Sequence, residues 1–248
     1  MIQVFLRFYE ELNDLLPLPY RKVEFRKDLL LSTTVKDLIE SCRVPHTEVD
    51  LILVNGDSVD FQYLVRHNDH ISVYPVFESM DISGVTRLQD RPLRELRFIT
   101  DRPLGKLTGR LRLLGQDVEY GLNFSGMELV DKAVSSGRIL LTRNRQLLMP
   151  SRIKRGYLIR SNYPKNQVVE TLHRFDLLGS IKPFTRCMNC NGILIPVNKE
   201  DILHLLEPLT KRYYRRFRQC DSCGQVYWKG SHHEKLKKYI SNLISDLA

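Results

Sequence analysis

At 248 residues, with 42% hydrophobic and 27% charged side chains, the chain has the composition of a folded protein of two or three small domains. No run of 18 apolar residues occurs, which excludes a spanning helix; the apolar start MIQVFLRFYEELNDLL is broken by Arg7, Glu10 and Glu11 and makes a poor signal peptide, so a cytoplasmic location is expected. The net charge of +9 is uneven: residues 1–90 hold 9 Lys/Arg against 15 Asp/Glu (−6), and residues 91–248 hold 29 against 14 (+15), a field that gathers polyanions such as nucleic acid.

IQVFLRFY and VEFRKDLLL alternate as a pair of strands, and Thr33 or Thr34 is placed to cap a short helix with Val35, Leu38, Ile39 and Cys42 on one face. Cys42 is expected in the core. DLILVNG and HISVYPVF return to strand. The order ββαββ predicts a β-grasp domain over residues 1–85, similar in pattern to the sulfur-carrier and ubiquitin-like families. Those carriers act through a free C-terminal Gly-Gly, whereas this chain runs on through Ser83-Gly84-Val85, so a docking or packing module is expected instead. The polar stretch TRLQDRPLR, residues 86–94, reads as a linker.

From residue 95 the pattern becomes βαβ-like. LRFITD is a strand ending at Asp101, and LGKLTGRLRLLG a helix with Leu104, Leu107, Leu111 and Leu114 on one stripe and Gly115 as its stop. Lys106 and Arg110 lie on the opposite side, with Arg112 nearby. QDVEYGL is a strand; SGMELVDKAVSSG is a helix with Ser125 and Glu128 in capping-box spacing and Gly137 at its end. RILLT and GYLIRS are further strands, and Pro164 opens a helix over PKNQVVETLHRF. Strands alternating with helices over 95–180 predict a mostly parallel sheet, with Asp101 and Asn144 at carboxyl strand ends where sites form. Arg143 and Arg145 flank Asn144.

Residues 181–248 carry Cys187-Met-Asn-Cys190 and Cys220-Asp-Ser-Cys223. Two such knuckles suit tetrahedral structural zinc, and Asn191-Gly192 and Gly224 supply the turns that aim amides at sulfur. A pair of disulfides is the rival, disfavoured in a reducing compartment.

LGKLTGRLRLLGQD, GRILLTRNRQLL, PFTRCMNCNGIL and CDSCGQVYWKGSH together resemble the Mut-seven C-terminal ribonuclease family. The resemblance implies an α+β multidomain chain: a ubiquitin-like domain, an α/β PIN-like nuclease domain and a zinc ribbon with basic helices. It also implies RNA as partner and, in an active member, Mg²⁺ or Mn²⁺ held by acidic side chains. Asp101 matches the first acidic position. The family's LTRD reads LTRN here, so Asn144 replaces an aspartate. The acid expected near Ser125 or Gly126 is absent, and Glu128, Asp131 or Asp117 would have to substitute for it. An amide brings no charge, so cleavage is expected to be weak or lost while phosphate-binding cations (Lys106, Arg110, Arg112, Arg143, Arg145, Arg155, Arg160) remain.

Between the knuckles, KRYYRRFRQC interleaves Lys211, Arg212, Arg215, Arg216 and Arg218 with Tyr213, Tyr214 and Phe217. If it is helical, Arg212, Arg215 and Arg216 share one face and Tyr213 and Phe217 another, the aromatic face either stacking bases or packing on the ribbon. Trp228, the only tryptophan, sits beside Lys229 and His232, placed either to stack a nucleotide or to cap a small core. HHEKLKKYISNLI reads as a basic amphipathic helix. Three functions follow: RNA binding, plausibly to structured RNA such as transfer or ribosomal RNA; a metal-dependent ribonuclease; or an adaptor whose residues 1–85 hold a protein partner.

Overall fold

The computed structural model describes residues 1–76, 84–88 and 96–247. Residues 89–94 of the expected linker and Ser83 lie outside the described residues. In chain order the strands and α-helices are β1 (Ile2–Phe8), β2 (Phe25–Leu29), α1 (Val35–Ser41), β3 (Val49–Val54), β4 (Asp57–Ser58), β5 (His70–Pro75), β6 (Arg97–Thr100), α2 (Gly105–Leu113), β7 (Asp117–Tyr120) and α3 (Gly126–Ser136). They continue with β8 (Ile139–Thr142), β9 (Gly156–Leu158), α4 (Pro164–Arg174), β10 (Leu194–Val197), α5 (Pro208–Tyr213), β11 (Phe217–Cys220), β12 (Val226–Trp228) and α6 (Ser231–Ser245). Among the described residues no helix is long and apolar enough to cross a membrane. The chain packs as two compact units, Met1–Leu96 with Phe124–Leu158, and Arg97–Asn123 with Ile159–Ala248.

In the first unit the order is ββαβββ, the expected ββαββ with the two-residue strand β4 added, and it builds a five-stranded sheet, β2-β1-β5-β3-β4, in which β1 runs antiparallel to β2 and parallel to β5. Period-two alternation turns Val4, Leu6 and Phe8 of β1 inward, and Val35, Leu38 and Ile39 of α1 are buried as well. Thr34 caps α1 by accepting from the Asp37 amide at 3.1 Å. β8 and β9 pair in parallel, and Ile139, Leu140 and Leu141 are buried, as a strand covered on both faces requires. α3 opens with the expected capping box, the Ser125 amide donating to Glu128 Oε2 at 2.7 Å, and ends on Gly137 at φ +62°.

The β-grasp elements of this unit are latched to the segment after β8 by buried polar groups. Lys36, although on a helix surface, is only 8% exposed, and its ammonium donates to Glu40 Oε2 (3.1 Å) and to the Met149 carbonyl (3.4 Å). His46 Nδ1 lies 2.6 Å from Glu40 Oε1 and its Nε2 lies 2.9 Å from the Ile153 carbonyl, so the ring bridges the two. Glu48 Oε1 accepts from the Leu158 amide at 2.8 Å. No periodicity marks these residues in the sequence, because their partners lie about a hundred positions away.

In the second unit β6 and β7 pair in parallel with α2 between them. Leu104, Leu107, Leu111 and Leu114 are all fully buried, as their stripe predicts. α4 packs beside α2, and Phe175 meets Phe98 edge-on with ring centroids 5.1 Å apart. The antiparallel sheet β10-β11-β12 forms the ribbon. The stretch KRYYRRFRQC is not one helix: α5 stops at Tyr213, and Phe217 to Cys220 form β11 between the other two ribbon strands. Backbone pairing on both sides of β11 outweighs the local helical pattern. Arg215 and Arg216 therefore lie in the turn between helix and strand.

Candidate metal centre and nucleic-acid interface

The sulfurs of Cys187, Cys190, Cys220 and Cys223 all lie within 4.8 Å of one another. The Cys187–Cys223 and Cys190–Cys220 separations are 3.7 and 3.3 Å, well beyond a disulfide bond of about 2.05 Å. Four sulfurs about 2.3 Å from a central ion would be about 3.8 Å apart, so the donor set fits a tetrahedral metal. Each knuckle closes on a left-handed residue: Asn191 at φ +76° donates its amide to the Cys187 carbonyl (3.0 Å), and Gly224 at φ +72° does the same for Cys220 (3.1 Å). A Cβ on Gly192 would stand 2.6 Å from Cys220 Sγ, so only glycine lets the two knuckles close. Burial raises the Cys187 pKa, but the Tyr227 hydroxyl at 3.1 Å and the Cys190 and Asn189 amides outweigh it and bring the thiol down to about 7. Loss of solvent and the neighbouring sulfurs push Cys190 up to about 12. Four thiolates cannot share this space without a cation to neutralise them, and four protein ligands leave no open coordination position.

The knuckle is fastened to the parallel strands by side chains whose structural part was not legible. Arg112 was expected at the surface near phosphates; instead it is 4% exposed. Its Nε donates to the Val118 carbonyl (2.8 Å) and its NH1 to the carbonyls of Met188 (3.2 Å) and Asn189 (2.6 Å). The reason is that the last turn of α2 is buried all round, from Leu111 to Leu114, so that Arg112 meets the Met188 and Asn189 carbonyls rather than solvent. Burial lowers the Arg112 pKa, opposed by Cys190, Cys187 and Asp117. Asn191 accepts from the Val118 amide (3.0 Å) and donates to Asp117 (2.8 Å), which also pairs with Arg186 at 3.3 Å. Asp117, a candidate substitute acid, is thereby committed to structure.

A groove of about 1500 Å³ runs between the ribbon and α6. Its walls carry seven Lys/Arg and two Glu, together with six aromatic side chains. Five of the sequence-predicted residues meet there: Arg215, Arg216, Trp228, Lys229 and His232. Arg218, from the same basic stretch KRYYRRFRQC, lines it as well, and Arg186, Lys199 and Lys237 join them unpredicted; of these three only Lys237 had a signal, the basic helical pattern of 231–245. Three of the groove's cations are partly spent on protein: Arg186 on Asp117, Arg218 on the Phe184 carbonyl (2.9 Å) and Lys199 on the Lys211 carbonyl. Phe217 is buried with Ile202, Leu206 and Val226, whereas Tyr213 stays 66% exposed. Arg212 lies outside the groove, its guanidinium 5.6 Å from the Tyr213 ring centroid.

The remaining predicted residues sit outside that groove. In the second unit Asp101 follows β6 directly, is buried, and stands at the N-cap of the 3-10 turn Arg102–Leu104. Lys106 is exposed, and Arg110 is half-buried with its guanidinium 5.0 Å from the Tyr239 ring centroid. In the first unit Asn144 and Arg143 are exposed just after β8, and Asn144 Oδ1 caps the following turn by accepting from the Gln146 amide at 3.1 Å. Burial and the nearby Arg43 lower the Arg145 pKa, with Glu48 opposing. Glu128 is held by its capping box, and Asp131 pairs with Arg152 at 2.7 Å.

The chain matches the family model for the Mut7-C RNAse domain over residues 96–240 and that for Mut7-C ubiquitin over residues 1–81. No curated protein matches it. Among solved structures it is similar to the crystal structure of SAMP1 from Haloferax volcanii, at 14% identity and a TM-score of 0.25, over 32% of this chain and 99% of that one. A β-grasp sheet, parallel α/β pairs and a four-cysteine ribbon in this order, with a family model spanning more than half the residues, place the chain in the Mut7-C RNase family, behind a Mut7-C ubiquitin-like domain.

Proposed function

We propose that this protein binds RNA through the basic, aromatic groove of its ribbon, on a nuclease-family fold whose acidic metal site is depleted, with little or no cleavage. The observation that carries the reading is the groove itself, in which seven cationic and six aromatic side chains meet only two carboxylates. Asn144, an uncharged amide that caps its own turn, stands at the position where the family resemblance leads us to expect a metal-binding carboxylate. The RNA is a structured one, such as transfer or ribosomal RNA, and the protein works in the cytoplasm. The four cysteines hold one structural zinc; elemental analysis should return about one zinc per chain.

The test is RNA affinity of the full chain against salt. Contact with about five phosphates implies a loss of about a hundredfold between 50 and 200 mM salt. Affinity that is absent, or flat with salt, overturns the reading. Mg²⁺- or Mn²⁺-dependent cleavage abolished by Asp101→Asn would replace it with the active ribonuclease, which the family and the buried Asp101 carboxylate support.

A further inference from the structure

We infer that the ribbon groove takes unpaired nucleotides, one base stacking on the face of Trp228, and does not take a duplex. This rests on the RNA-binding reading and names which part of an RNA the site reads.

Trp228 ends β12 and is 38% exposed in a groove whose other aromatic rings are mostly used by the protein. Directly across the sheet, Phe217 is buried in the ribbon core, and Tyr214 packs against the same core. The indole leans on both, with centroids 6.5 Å from Phe217 and 6.4 Å from Tyr214, but at tilts of 55° and 51°. Those contacts support the ring without stacking on its face. Gly230 keeps the indole where it is: a Cβ there would stand 2.9 Å from Trp228 Nε1. Tyr213, at the end of α5, supplies a second, more exposed ring lining the same groove.

Cations alone would serve any polyphosphate. An exposed, braced indole set among Arg215, Arg216 and Lys229 adds something that only a base can use. In a duplex the faces of the bases are hidden in the stack and only the backbone is presented. An unpaired base offers its face to the ring while its phosphates meet the arginines. Such stacking is worth roughly five- to a hundredfold in affinity per base.

Trp228 is the only tryptophan, so its fluorescence reports the groove alone. The full chain is titrated with a fluorescently labelled single-stranded oligouridylate and with a labelled RNA duplex of equal phosphate count; RNA anisotropy reads binding and tryptophan emission reads stacking. The single strand should quench Trp228 and bind more tightly than the duplex. Trp228→Leu should weaken single-strand binding by roughly five- to a hundredfold while Trp228→Phe retains most of it. Tyr213→Ala, at an exposed position outside the ribbon core, should weaken it too, and serves where the leucine variant fails to fold. If the single strand binds with Trp228 emission unchanged or no more tightly than the duplex, or if Tyr213→Ala (and Trp228→Leu where it folds) binds both RNAs as the wild type does, the stacking inference is wrong while RNA binding stands. If neither RNA binds, the reading beneath it fails as well.

Discussion

Arg112 separates the sequence-level expectation from the structural one. As a phosphate contact, its loss would weaken RNA binding and leave the fold intact. As placed, its guanidinium satisfies the carbonyls of Val118, Met188 and Asn189 and ties the first zinc knuckle to β7. Arg112→Met keeps the aliphatic stem and removes these charge-assisted bonds, leaving the buried Val118 carbonyl and the part-buried Met188 and Asn189 carbonyls to find other partners. Each such bond contributes on the order of 1.5–3 kcal/mol, and breaking a buried charged contact typically costs roughly 3–5 kcal/mol in total. A folded unit is stable by only about 5–15 kcal/mol, so the loss is a large fraction of the whole. Urea denaturation should show the midpoint falling by about 1–2 M at an m-value of roughly 2–3 kcal/mol/M. Zinc release to a colorimetric chelator should accelerate in parallel. Arg112→Lys, a point charge without the guanidinium fork, should fall between the two. The reasoning is refuted if Arg112→Met keeps its midpoint and its zinc yet loses RNA affinity tenfold.

The latch in the first unit predicts that His46→Leu lowers stability by roughly 2–4 kcal/mol, since the Ile153 carbonyl and one Glu40 oxygen lose their imidazole partner. Amide exchange over residues 149–158 should quicken in this variant, and unchanged protection there would count against the latch. At α3, hydrogen bonding by the Ser125 backbone and side chain lowers the Glu128 pKa. A depressed carboxyl pKa contributes stability that is fully present above its unfolded value, near about 4.3, and is lost as pH falls through the folded value. The stability gap between wild type and Glu128→Gln should therefore be open at pH 6 and close on acidification; a gap constant down to pH 3 would remove the carboxylate's charge from the explanation.

How far the sequence could be read depended on how far apart the interacting residues were. The β1 alternation, the leucine stripe of α2, the α3 capping box and the two CxxC knuckles are signals contained in a few neighbouring residues, and the structure carries each of them. The α5–β11 break was not legible, because a strand held between two partners follows from pairing that spans tens of residues. The groove was legible by half. Arg215, Arg216, Trp228, Lys229 and His232 announce themselves by clustering with aromatics. Arg186 and Lys199 join them only because the ribbon folds back on itself.

What the sequence by itself determined was the identity and order of the parts: an acidic β-grasp half, a basic half with alternating strands and helices, four thiols spaced for one metal, and an amide, Asn144, at a strand end. What only the tertiary structure decided was the use of individual charges. Arg112 went to the interior, Asp117 to the knuckle and His46 to a latch, while the cations around Trp228 stayed in an open groove. The physical reason is that a charge is committed by whichever acceptors surround it once desolvated, and those acceptors are set by packing over distances that no local pattern records.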